Sequence, residues 1–139
     1  MSSALLDTNV VSEIMRPAPS PRVLAFLTEE PDLWLAAIVI HELEFGLARL
    51  PPGSRRDRMR AVMVGFIGMY EDRVLPLRRA EAEQAALLRA TARQSGRTLL
   101  LADALIAGTA VVNDLAVATR NVADFDYLDV GVINPWEAA

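Results

Sequence analysis

Apolar positions in this chain come in short runs broken by proline, glycine and acidic residues, and their period changes along the sequence. Ala4 to Leu6 is a continuous apolar run ending at Asp7, which predicts a buried first strand. Thr8 or Asn9 then offers a cap for a short helix reaching Met15, and Pro17, Pro19 and Pro21 interrupt the chain. Beyond Ser20 a helix is predicted with Val23, Leu24 and Leu27 on one side, ended by Pro31. Leu33 to Ala36 reads as a second strand. Ile38 to Leu50 reads as a helix, with Leu43, Leu47 and Leu50 at helical spacing.

Pro51, Pro52 and Gly53 form a turn before a helix from Arg55 to Tyr70, whose stripe is Met59, Val62, Met63, Phe66 and Tyr70. Val74 to Leu77 reads as a strand, Ala80 to Gln94 as a helix with Gly96 as its stop signal, and Leu101 to Asp114 as a helix that is apolar almost all round. Leu115 to Thr119 and Val130 to Ile133 complete the strands, and Asn134-Pro135 ends the last one. Alternation of strands and helices implies an α/β fold: a mainly parallel sheet of four to five strands with helices on both faces. The 139 residues suit one domain spanning 1–139, with no repeat and no linker.

Composition narrows the chemistry. Without cysteine there are no disulfides and no thiol chemistry, and His41 is the single histidine, so a histidine-rich metal site is excluded. All 14 basic residues are arginine, which removes a Walker-type phosphate loop. The net charge of -4 speaks against a large duplex-gripping surface. It leaves room for an acidic site where bound cations supply positive charge. A mean hydropathy of +0.25 is high for a small domain and suggests apolar surface buried against a partner. No signal peptide or membrane span is read, so the expected location is the cytoplasm.

Four groups of acidic residues then stand out. Asp103 lies in the apolar segment Leu99 to Val112, where a carboxylate is costly without a cation or several donors. The simpler explanation is a helix N-terminus, where an aspartate favours the dipole. Asp7 follows a buried strand, and ligands of open parallel sheets bind beyond the carboxyl ends of strands; alone, it reads as a helix cap. Asn121 and Asp124 follow the strand ending at Thr119, with Asp126 and Asp129 nearby as loop acids. Glu42 lies beside the apolar row of its helix, and Glu44, about 200° further round, competes with it. Oxygen-only donors select hard cations such as Mg²⁺ or Mn²⁺, and such a set suits metal-activated water attacking a phosphodiester.

The segments Leu5 to Glu13, Leu101 to Ala110, Val117 to Asn121 with Asp124-Phe125, and Asn134-Pro135-Trp136 together resemble the PIN-domain ribonucleases. Within these they are most similar to VapC-like toxins of type II toxin–antitoxin systems, in the FitB-like subgroup with its DTNVxSE opening. The resemblance runs from about residue 4 to 137. It implies a PIN-like α/β/α sandwich, Mg²⁺-dependent endoribonuclease activity (Mn²⁺ as a substitute), a cognate antitoxin, an RNA substrate, a homodimer, and DNA contact only through the antitoxin. Position by position, it implies Asp7 and Asp103 as metal ligands, Glu42 as a further acid that binds metal or orients water, and Asp124 as the carboxylate replacing the acid some members carry at Asn121.

Thr8 and Thr119 are candidate supporting hydroxyls, bonding to metal-bound water or to Asp7; otherwise they read as a cap and a strand residue. Arg120, beside Asn121, is the candidate substrate contact. His41 reads as a surface or packing residue, since adjacent helical residues point about 100° apart. The run Arg55, Arg56, Arg58 and Arg60 reads first as a solvated face and second as a phosphate or antitoxin contact. The methionine-rich stripe reads as core, with a partner groove expected near it. Two rivals stay beside the nuclease: a phosphatase or phospho-receiver on a similar sheet, and a catalytically weak PIN-like subunit acting in a DNA-bound antitoxin complex as an autorepressor.

Overall fold

A computed structural model describes residues 3–137. Five strands, β1 (Ala4–Leu6), β2 (Leu33–Ala36), β3 (Val74–Leu75), β4 (Ala116–Ala118) and β5 (Val132–Ile133), form one sheet in the order β3-β2-β1-β4-β5. Every pairing is parallel, with Leu5 opposite Trp34 on one side and Val117 on the other. Six helices connect them: α1 (Thr8–Ile14), α2 (Pro21–Glu29), α3 (Ala37–Ala48), α4 (Ser54–Met69), α5 (Arg79–Gln94) and α6 (Leu101–Val112). This is the expected α/β/α layering, with the sheet wholly rather than mainly parallel. β1 is central and fully buried, as its unbroken apolar run demands.

Several boundaries move for identifiable reasons. Asp7, not Thr8 or Asn9, caps α1: its carboxylate accepts the Thr8 N–H. β3 is half the predicted length because Pro76 has no N–H for the ladder. α6 stops at Val112 because Asp114 turns into the left-handed region (φ 56°). The Asp114 and Leu115 amides then return to Val111 O and Ala110 O, a Schellman stop with aspartate in place of glycine. The Gly96 signal is read correctly: at φ 75° it closes α5 with Gly96 N–H to Arg93 O and Arg97 N–H to Ala92 O.

Met63, Phe66 and Tyr70 are buried, so the α4 stripe is core. Val62 and Leu24, predicted on buried sides, are more than a third exposed. Glu13 is buried; it accepts the Ser20 N–H (2.8 Å) and pairs with Arg16 (3.2 Å), holding the proline-rich loop against α1.

α5 packs along α6 at unusually close range. A Cβ on Gly108 would lie 2.8 Å from both Ala85 N and Glu81 O, so only glycine fits there. Glu81 is fully buried at the same seam. It accepts two bonds from the Arg78 guanidinium (2.9 and 3.3 Å) and one from Asn113 Nδ2 (3.3 Å), and the guanidinium holds its carboxyl down at about 2. Glu81 thereby ties the start of α5 to the end of α6. Among the described residues no helix is long and apolar enough to cross a membrane.

Candidate active site

The strand order reverses direction at β1: β2 and β3 lie to one side, β4 and β5 to the other. At such a switch point the loops leaving two neighbouring strands part, and a crevice opens beyond their carboxyl ends. Asp7 leaves β1 there and Thr119 leaves β4. The ladder carries on to Asp7, whose N–H donates to Ala118 O at 2.9 Å.

The two residues are joined side chain to side chain. Thr119 Oγ1 donates to Asp7 Oδ2 at 2.7 Å, and both are buried. Asn9 completes the junction. Its Nδ2 lies 3.2 Å from both Asp7 Oδ2 and Thr119 Oγ1, and its Oδ1 accepts the Arg120 N–H at 3.3 Å. Thr119 Oγ1 also accepts the Asn121 N–H at 3.0 Å. Asp7 therefore has both oxygens engaged, one by the α1 amide and one by Thr119 and Asn9. No buried side-chain polar atom among the described residues lacks a partner.

Asp103 occupies the first turn of α6 and is half-buried. Both readings of it hold a part of the answer. It is not deep in the interior, because α6 begins only at Leu101 and Leu100 and Leu101 are well exposed. It is nonetheless in a strongly acidic setting. Burial first, then the charges of Asp7, Asp124 and Glu42, push its carboxyl up to about 6. Asp7 is raised in the same way: burial dominates, the bonds from Thr119 and Thr8 pull it back, and Asp124 and Glu42 push it up again. Asp7 and Asp103 thus each feel the charges of Asp124 and Glu42.

Glu42, on α3, is the acid that faces this group; Glu44 points away and pairs with Arg60 of α4 at 2.9 Å. Asp124 ends a 3-10 turn, Val122–Asp124, and is exposed. Asn121 is exposed and meets the group through its backbone N–H. Thr8 meets Asp7 through its N–H and not its hydroxyl. Arg120 is exposed, with its guanidinium 5.1 Å from the centre of the Trp136 ring. His41 is exposed, stacks on Phe45 and touches Glu42 at 3.2 Å. Sequence reasoning missed Asn9 as a site residue. The only signal was its place two residues after Asp7, and its other partners, Thr119 and Arg120, lie more than a hundred positions away.

The donor set fits a small divalent cation. Crowded carboxylates with raised affinity for protons are equally ready for a metal ion, which removes their mutual repulsion. Among the described residues no group of three or more acids or histidines is placed to hold a metal ion by itself, so an ion here would rest on one or two carboxylates and on waters, as Mg²⁺ commonly does. A cleft of about 460 Å³ opens beside Asp103 and Asp124 and runs to Arg97 and Tyr127.

The PIN domain model matches residues 4–130. The chain is 39% identical to VapC ribonuclease Y4jK of Sinorhizobium fredii, over 97% of this chain and 99% of that protein. It is 38% identical to toxin FitB of Neisseria gonorrhoeae, over 95% and 97%. Among solved structures it is similar to FitAB bound to a DNA fragment, with a TM-score of 0.90, 36% identity and coverage of 98% and 97%.

Proposed function

Because the chain belongs to the PIN domain family, we propose that it is the toxin of a toxin–antitoxin pair and acts as a metal-dependent endoribonuclease hydrolysing RNA phosphodiester bonds. One observation carries this reading: Asp7 and Asp103, far apart in sequence, each feel the charges of Glu42 and Asp124 at the switch point of the sheet. The ribonuclease name of a 39% identical relative covering nearly the full length supports it.

Asp7 and Asp103 would hold the ion, Mg²⁺ or Mn²⁺. When bound, such an ion supplies positive charge to the phosphate and lowers the pKa of water. Thr119 and Asn9 keep Asp7 in one rotamer, so its oxygens need no rearrangement to ligate. Glu42, the more peripheral carboxylate, would orient or deprotonate the attacking water. Asp124 adds the charge that Asn121 lacks. Arg120, steadied on Trp136, would meet a substrate phosphate with its fork of donors.

A cognate antitoxin and a homodimer complete the reading. The FitAB neighbour, bound to DNA, favours a second role in which this chain reaches DNA through its antitoxin as part of an autorepressor.

The test is cleavage of a fluorescent RNA panel with Mg²⁺, with Mn²⁺ and with EDTA, beside Asp103→Asn. Cleavage is expected to need the metal and to fall by more than about 100-fold in the variant, since loss of even an outer partner of a ligand costs about 10–100-fold. Cleavage indifferent to both EDTA and the substitution would overturn the nuclease reading.

A further inference from the structure

The cleft beside the carboxylates is one of a pair. Arg97, Thr98 and Leu99 line it, and the same three residues line a second cleft of about 320 Å³, which Arg89 and Arg93 also border. Sharing these residues, the two clefts lie side by side at the loop between α5 and α6, one bordered by Asp103 and Asp124 and the other by arginines.

Those arginines differ from the others on their helix. Arg78 and Arg79, at the start of α5, are paired with Glu81 and Glu83. Arg89, Arg93 and Arg97 are exposed, and among the described residues none of them makes an ion pair. Arg89 and Arg93 stand one helical turn apart, an arrangement of like charges that disfavours the helix. Arg97 continues the row past the helix end. Its backbone direction is fixed by the Gly96 stop, and its guanidinium lies 4.1 Å from the centre of the Tyr127 ring. In a chain of net charge -4, three uncompensated arginines in one row are a local reversal of sign.

We propose that the paired clefts form a track for single-stranded RNA, in which backbone phosphates some nucleotides from the cut lie against Arg89, Arg93 and Arg97. This rests on the nuclease reading and extends it. Acids at one end and arginines at the other are what a polyanion requires if one phosphate is cleaved at a cation and its neighbours are held directly. Guanidinium groups bind phosphate through paired donors, and a ring beneath one of them holds it ready. An acidic protein segment would find the arginines equally attractive, but the adjoining cleft is bordered by carboxylates that repel such a segment. RNA arriving with a divalent cation meets no such barrier.

The experiment uses the full chain and a fluorescein-labelled ten-nucleotide single-stranded RNA. Binding is followed by anisotropy in Ca²⁺ at several salt concentrations. Arg89→Gln/Arg93→Gln is compared with Arg22→Gln/Arg49→Gln, which removes the same charge from exposed positions outside the row. The first pair is expected to weaken binding several-fold and to reduce the slope of log Kd against log salt by about 1.4, from about 0.7 per single-strand phosphate contact. The second is expected to change the slope little.

Equal effects of both pairs would mean unspecific charge attraction and would overturn the track. So would an unchanged slope for Arg89→Gln/Arg93→Gln in a protein whose wild type still cleaves RNA through Asp103, an outcome that leaves the nuclease reading standing. Loss of antitoxin binding with RNA binding intact would make the row a protein dock and refute the proposal. Failure of the wild type both to bind and to cleave RNA would bring down the track together with the nuclease.

Discussion

Asp103 is disfavoured as a charged group by its burial and by its acidic neighbours. In the metal-free chain its carboxyl sits near 6, against 3.8 for an unburied aspartate, so folding favours its protonated form. The contribution it makes to stability is whole below pH about 4 and is lost as the pH rises through about 6. Asp103→Asn should therefore raise the Tm of the metal-free protein at pH 7.5, and the gain should vanish near pH 4. Mg²⁺ should raise the Tm of the wild type and leave that of the variant unchanged. Calorimetry at both pH values, with and without Mg²⁺, measures all of this; an equal Mg²⁺ shift in both proteins would mean that the ion binds elsewhere.

Thr119 permits a second residue-scale prediction. Thr119→Val keeps the shape but removes the 2.7 Å bond to Asp7 and leaves Asn9 and the Thr8 N–H to hold the carboxylate. The fold should survive, cleavage should fall by about 10–100-fold, and Thr119→Ser should restore most of it. At this scale the acids were legible, because carboxylates next to apolar runs stand out. The Thr119–Asp7–Asn9 junction was legible only in part: the bond to Asp7 was one of two readings of Thr119, and nothing marked Asn9. Local sequence does not tell which strands become neighbours.

Elements were legible where a single residue type enforces them and blurred where none does. Gly96, Pro21 at the first position of α2 and the unbroken run of β1 all act as their chemistry requires. The start of α6 at Leu101 was read correctly although Leu100, its N-cap, carries no capping side chain; what the apolar run hid was that Asp103 lies in a first turn and not in a helix interior. Asp114 was missed as a stop because aspartate seldom takes the left-handed conformation that glycine takes freely. Asp114→Gly should relieve that strain and stabilise the protein by about 0.5–1 kcal/mol in denaturant melts. Gly108→Ala should do the reverse. Its methyl meets backbone at 2.8 Å on two sides, and forcing α5 from α6 should cost about 1–3 kcal/mol. Because Asp103 rides on α6, that variant should also bind Mg²⁺ more weakly.

For the whole molecule, the high mean hydropathy divides between core and surface. The α4 methionine stripe is core, so Met63→Asp would unfold the chain and cannot report on a partner. Phe45, Val64, Met69, Leu87, Leu100 and Leu101 remain more than half exposed, an apolar remainder available for association. A chain that self-associates through such surface is stabilised by mass action. Its Tm should therefore rise by a few degrees across a hundredfold increase in protein concentration, and a constant Tm would mean that the free chain is a monomer.

The bond from Thr119 to Asp7 spans 112 positions, and that spacing acts as a timer. During synthesis, at about 5–20 residues per second, Asp7 has only the Thr8 N–H and Asn9 as partners until Thr119 follows. Until Ala116 to Ala118 emerge, β1 also has one bare edge. A nascent or prematurely stopped chain can therefore carry Asp7, Glu42 and Asp103 and still lack the bond that, with Asn9, fixes the Asp7 carboxylate.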